Sequence, residues 1–413
     1  MERGTNLLLM ARQLCALRIS RMPERRIYLD NSATTAMAPQ VLAAMQPYLN
    51  DVYGNASSLH SFGRDAAAAL DEAHSVVGCA MGARASEIVF TGCGTESDNL
   101  AIRGIALAAR RQRGFERGHI ISTATEHHAV EATVHQMHEL FGFDITMLPV
   151  DDAGCVAAAD LRRAIRPDTV LASLMLANNE VGTLLPIRTL ADLCHEHSVL
   201  FHTDAVQAPA YLPLDVNELH VDALALSAHK FYGPKGVGVL YLREGTPYLP
   251  TLTGGGHERG RRPGTVNVAG AVGAAAAMKY VMQERIVQAP RLCALRDRMI
   301  AGVLERVPYA RLSGHPTERL PGHASFLFKD VDGESLLMSL DVEGFAVSTG
   351  SACTSGDPEP SPVLTAMGIP RDWALGGLRI TLGYHSTEAD VDALLETLPM
   401  CVDRVRRAAL EML

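Results

Sequence analysis

The sequence predicts an α/β protein with a mostly parallel central sheet in a large domain, joined to a smaller α+β domain. Three observations predict it. From Ile27 onward, short β-type runs alternate with helical stretches, the pattern of βαβ units. One run, Val170–Leu176, is almost continuously apolar, as a strand buried on both faces should be. Near residue 290 the alternation stops and gives way to helices with only two strand-like runs.

The elements follow in order. Ile88–Thr91 reads as a strand, and a Gly-rich turn leads from it into a helix over Glu96–Arg113, where Ile102, Ile105, Ala106 and Ala109 recur at helical spacing. His119–Thr123 reads as a strand, Val130–Leu140 as a helix and Asp144–Val150 as a strand. After Val170–Leu176 come a helix over Leu190–His197 and strands over Leu200–Asp204, Ala223–Ser227 and Val237–Leu242. Beyond residue 290, an amphipathic helix spans Leu292–Val307, strands lie near Ala324–Phe328 and Gly377–Leu382, and a terminal helix starts at Thr387. The expected division is a tail over 1–26, a large cofactor-binding domain over 41–288, and a small domain built from 27–40 and 289–413.

Composition removes several function classes. Of 413 residues, 47% are hydrophobic and 20% charged, as in an ordinary globular protein. Net charge is 37 − 46 = −9, so a basic nucleic-acid footprint and a polybasic membrane patch are both absent. No apolar run reaches the roughly 18 residues of a membrane-spanning helix. The eight cysteines, at 15, 79, 93, 155, 194, 293, 353 and 401, never come closer than 14 residues. That excludes a CxxC zinc or redox motif, and no metal is expected. Eight free, mostly buried thiols in a reducing cytoplasm are expected instead. The first 26 residues carry six Arg against two Glu. Their apolar run, Leu7–Met10, is too short for a secretory signal. A surface tail, or a start at Met22, is favoured over an organelle transit peptide.

Three constellations carry chemistry. In SAHKFYGPKG at 227–236, Lys230 follows a buried-looking strand beside His229. Desolvation there would lower its pKa and make it an amine nucleophile able to form a Schiff base. Read alone, it is more often an exposed loop lysine, and Lys235 competes with it. In FHTDAVQ at 201–207, Asp204 ends an apolar strand, where open α/β sheets place ligand groups, with Gln207 one turn further. Alone, Asp204 is equally a helix N-cap. In TGCGTESDNLAI at 91–102, a strand and two glycines open a helix at Thr95, which makes an anion site. The competing reading is a capping box in which Thr95 or a neighbour caps and Asp98 reaches back. Together the three supply a Schiff-base lysine, a ring-nitrogen carboxylate and a phosphate cradle, the set that pyridoxal 5'-phosphate demands.

Further motifs carry a family resemblance. YLDNSATT at 28–35, GNASSLHSFGR at 54–64, FTGCGTESDN at 90–99, TEHHAV at 125–130 and ANNEVGT at 177–183 are followed by HTDAVQ, SAHKFYGPKGVG, GGGHERGRRPGT at 254–265, STGSACTSG at 348–356 and LRITLG at 378–383. In these pieces, from about residue 27 to the C-terminus, the chain resembles the cysteine desulfurases, fold-type-I pyridoxal-phosphate enzymes of the class V aminotransferase superfamily. The resemblance implies that Lys230 carries the cofactor, Asp204 pairs with its ring nitrogen, Gln207 meets its hydroxyl, and His127 stacks on the ring and serves catalysis as a proton shuttle. Gly94, Thr95, Ser227 and His229 would hold the phosphate, and Thr265 would reach the phosphate site of a second subunit in a homodimer. Asn179 and Arg379 would hold the substrate carboxylate, with Asn31 nearby. Cys93 occupies a slot that varies in the family and is assigned no chemistry.

Cys353 separates the relatives. Glycines at 350 and 356 bound its segment, and three prolines follow within six residues, which predicts an irregular, mobile loop. Such a thiol can attack a bound sulfur and swing out with it. The expected activity is conversion of L-cysteine to L-alanine with sulfur stored as a persulfide on Cys353. The sulfur would pass to an acceptor protein such as an iron–sulfur scaffold or a tRNA-thiolation carrier. Selenocysteine lyase and class V aminotransferase are the alternatives. A non-catalytic carrier should have lost Lys230 or Asp204, and both are present.

Overall fold

The computed structural model describes residues 26–349 and 359–411. The tail before Arg26 and the segment that holds Cys353 lie outside the described residues.

Seven strands form the main sheet: β1 (Ile88–Thr91), β2 (His119–Thr123), β3 (Asp144–Leu148), β4 (Thr169–Ser173), β5 (Leu200–Asp204), β6 (Ala223–Ser227) and β7 (Gly238–Leu242). Their order is β1-β7-β6-β5-β4-β2-β3. Every pairing is parallel except those of β7, which runs antiparallel to both its neighbours. Each residue of β1, β2, β4, β6 and β7 is buried, which explains the continuous rather than alternating apolar runs. Burial of each large aliphatic side chain there contributes about 1.5–3 kcal/mol.

Helices cover both faces. Helix α1 (Ser61–Ala80) packs on the long helix α5 (Val268–Arg306), and α2 (Gly94–Arg113) packs on β6 and β7. Helices α3 (His128–Phe141) and α4 (Ile187–Glu196) follow β2 and β4. A three-stranded antiparallel sheet, β10-β9-β8, holds β8 (Ala310–Ser313), β9 (His323–Phe328) and β10 (Gly377–Thr381), and helix α6 (Glu388–Glu411) closes the chain. No helix among the described residues is long and apolar enough to cross a membrane.

Two expectations change. The helix expected at Leu292–Val307 begins 24 residues earlier, at Val268, and carries Pro290 inside it. A proline removes a helical hydrogen bond, which is why the sequence reads as a fresh start there. Helix α5 therefore runs straight across residue 288. The thiols are also less buried than expected. Of the six described, Cys194 and Cys401 are buried, Cys155 and Cys293 are intermediate, and Cys79 and Cys93 are exposed.

Candidate active site

Parallel strands deliver their C-terminal ends to one edge of a sheet, and the loops there can converge on a ligand. Here β1, β2, β4, β5 and β6 lead to a cavity of about 380 Å³. Gly94, Thr95, His127, Asn179, Asp204 and Gln207 line it, as do Ser227, His229, Lys230 and Arg379. Ten of the expected residues, drawn from positions 94 to 379, are thus brought together.

Lys230 ends a short 3-10 turn, Ala228–Lys230, directly after β6. Its Nζ donates to the carbonyls of Ser32 (2.5 Å) and Ala33 (2.9 Å). Burial, and then the charge of Arg379, lower its pKa to about 8. Asp204 is the last residue of β5, and its Oδ1 accepts the Val206 N–H at 2.8 Å. Burial pushes this carboxyl up to about 6 against the pull of that N–H and of Lys230. A cationic nitrogen bound beside it would draw it back down.

His127 caps helix α3, its Nδ1 accepting the Ala129 N–H at 3.1 Å. That bond assigns any ring proton to Nε2. Burial, then Lys230 and His128, lower its pKa to about 4, so the ring is neutral at physiological pH. His229 is lowered to about 4 by burial and by Lys230 and Lys235. Its Nδ1 meets Thr34 Oγ1 at 3.1 Å. Gln207 Nε2 donates to Ser32 O at 3.0 Å.

Helix α2 begins at Gly94 with Cys93 as its N-cap, and no side chain caps it. Its first N–H groups are therefore left for a ligand. The capping-box alternative is not realised. Asp98 is 1% exposed, and Glu96 is the acid that reaches back, accepting the Gly92 N–H at 2.6 Å. The cradle is packed closely from below, since a Cβ on Gly238 of β7 would lie 2.4 Å from Cys93 C and O.

Two expected residues lie off the cavity wall. Asn31 turns to the small sheet and donates from Nδ2 to Thr381 O at 2.8 Å. Thr265 is exposed. Its loop is tied down by Arg262 Nε on Glu96 Oε1 (2.7 Å) and by Glu258 Oε2, which meets His74 Nε2 (2.9 Å) and accepts the Phe90 N–H (3.1 Å).

Sequence reasoning missed several lining or supporting groups. Ser32, Ala33, Cys93, Asp98 and Met175 also line the cavity. Buried Glu126 accepts the Met175 N–H at 2.8 Å. It is pushed up to about 8 by burial, against that N–H and with the charge of Asp204. Its position beside His127, in the turn just past the end of β2, was the available signal.

An aldehyde cofactor held by a lysine, with its phosphate at a helix N-terminus, defines the class of enzyme that such a cavity serves. Comparisons with known proteins narrow the class. The family model for Aminotransferase class-V matches residues 27–394. Cysteine desulfurase IscS of Dictyoglomus turgidum is 45% identical over 383 residues, covering 93% of this chain and 96% of that one. The solved structure of a NifS-like protein superposes with a TM-score of 0.85 at 35% identity, over 92% of this chain and 100% of the other. SspA in complex with cysteine superposes with a TM-score of 0.77 at 33% identity, over 87% and 100%. The chain belongs to the class-V aminotransferase family and, within it, to the cysteine desulfurases, fold-type-I enzymes whose cofactor is pyridoxal phosphate.

The residues present fit that cofactor. A half-buried lysine with a lowered pKa, an uncapped helix N-terminus and a buried strand-end carboxylate face one cavity.

Proposed function

We propose that this chain converts L-cysteine to L-alanine and stores the sulfur as a persulfide on Cys353. The observation that carries the reading is the convergence of Lys230, Asp204 and Arg379 on one cavity. When bound, the cofactor supplies an electron sink for carbanion chemistry at the substrate Cα.

The chain's own groups divide the remaining work. Thr95, Ser227, His229 and the first N–H groups of α2 would seat the phosphate, and Asp204 would face the ring nitrogen. Lys230 is the amine that would hold the cofactor. With a pKa of about 8, a useful fraction is uncharged near neutrality and can take the Cα proton. Neutral His127 would lie over the ring. Arg379, with Asn179, would receive the substrate carboxylate. The Cys353 thiolate attacks Sγ of the bound cysteine. An S–S bond forms as the Cβ–Sγ bond breaks, and the electron pair left on carbon takes a proton to give alanine. Cysteine plus thiol thus becomes alanine plus persulfide, with no external oxidant.

The flanks of the Cys353 segment support this role. Ser348 exchanges backbone hydrogen bonds with Arg379 (2.6 and 3.2 Å), and Ser361 Oγ donates to Glu180, the neighbour of Asn179. The segment thus leaves and returns beside two of the proposed substrate ligands. Cys353 lies five residues past Ser348, a tether of at most about 18 Å.

The same reading includes a homodimer. Thr265 is exposed and off its own cavity, as a residue offered to a second copy would be. A groove of about 590 Å³ between α1 and α5, lined by Tyr48, Val52, Val76 and Val272 among others, offers apolar surface for that copy. A sulfur-acceptor protein in the cytoplasm completes the proposal. The test is incubation of the cofactor-loaded protein with L-cysteine, measuring alanine and protein-bound persulfide together. Equal amounts are expected in the first turnover, and no alanine would overturn the reading.

A further inference from the structure

One ion pair at the cavity has no part in the scheme above. Arg379 Nη2 donates to Asp30 Oδ1 at 2.7 Å, and the two side chains are 6% and 19% exposed. Arg379 Nη1 donates to Asn179 O at 3.0 Å, and His323 Nε2 meets the same carbonyl at 3.2 Å. Asp30 is itself fixed. Its carbonyl accepts the Tyr28 hydroxyl at 2.9 Å, and its backbone bridges to Thr381. Two of the five guanidinium N–H groups are therefore committed, and Nε has no partner among the described residues. Arg379 is oriented and its charge already balanced before any carboxylate arrives.

That arrangement has a cost for a ligand. An entering carboxylate must share the cation with a second anion held beside it, and the two anions repel. Substrate and product of the proposed reaction carry the same carboxylate. Tight binding of it would stabilise both alike, which does not accelerate the chemical step and slows product release. We propose that Asp30 is a positioning residue that acts through Arg379 to orient the guanidinium and hold down its affinity for amino-acid carboxylates, so that alanine leaves. The proposal rests on the reading of Arg379 as the carboxylate receiver.

The test uses the cofactor-loaded enzyme and follows the cofactor absorption during titration with L-alanine and, separately, with ethylamine, which lacks the carboxylate. In Asp30→Asn the acceptor oxygen is kept and the charge removed. The Kd for L-alanine is expected to fall about three- to tenfold, with that for ethylamine unchanged. Asp30→Glu keeps the charge and should stay nearer the native value. Asp30→Ser gives a second neutral variant should Asp30→Asn not fold. Alanine affinity that is unchanged or weaker in the folded neutral variants, or ethylamine affinity that rises in step, overturns the proposal. Arg379→Ala separates the two layers: if it still prefers alanine over ethylamine as the native enzyme does, the carboxylate reading of Arg379 has failed, and this proposal with it.

Discussion

At the scale of single residues, the cavity is organised around protonation. Lys230 is lowered to about 8 while His127 and His229 are lowered to about 4. One amine is thus made reactive, and two imidazoles are kept neutral near it. Below about pH 8 Lys230 is mainly protonated and non-nucleophilic, and above it mainly free. The rate at which cofactor-free protein takes up pyridoxal phosphate covalently should therefore rise with pH through about 8 and level off above it. A stopped-flow absorbance series checks this, and a rise that continues to the ordinary lysine range near 10.4 would contradict it. Much of this chemistry is legible in the sequence, because Asp204 and Lys230 sit at or just after strand ends. The part played by Asp30, Ser32 and Thr34 was not. Their partners, Arg379, Lys230 and His229, lie 195 to 349 residues away in the chain, and local spacing holds no trace of such contacts.

At the scale of elements, the sheet was legible and two of the longest helices were not. The strands announce themselves because burial on both faces demands apolar runs. Helix α1 hides because its buried face is made of Gly63, Ala66, Ala73, His74, Val77 and Gly78, small residues that leave no broad apolar stripe. Close packing needs them. On α5, a Cβ on Gly273 would lie 2.5 Å from Met45 Sδ. The same closeness couples β7 to the phosphate cradle. In Gly238→Ala the added methyl would meet Cys93 backbone atoms at 2.4 Å, with no flexible side chain to give way. Overpacking of this kind costs about 1–3 kcal/mol. The variant should lose about that much stability in urea unfolding and hold pyridoxal phosphate more weakly than the native protein. Native cofactor affinity in a destabilised Gly238→Ala would show that the contact does not shape the cradle.

At the scale of the whole molecule, two distant parts of the chain must act on one substrate. The dimer is tested by mixing chains. A heterodimer of Lys230→Ala with Thr265→Ala chains should contain one doubly damaged site and one intact site if Thr265 serves its partner, and it should show about half the native activity. If Thr265 serves its own chain, each site carries a single defect and no intact site forms. Sulfur transfer is the central claim, and Cys353 carries it. A serine hydroxyl is close in size to a thiol but stays protonated near neutrality and is a poor nucleophile toward sulfur. Binding and Cα chemistry rest on Lys230, Asp204 and His127, none of which can hold a persulfide. The most direct measurement is a single-turnover reaction of native and Cys353→Ser enzyme with L-cysteine, quenched and assayed for alanine and for protein persulfide. The native enzyme should give equal amounts of each, whereas Cys353→Ser should still perturb the cofactor absorption on binding cysteine yet give almost no alanine. Full alanine production by Cys353→Ser would contradict the account.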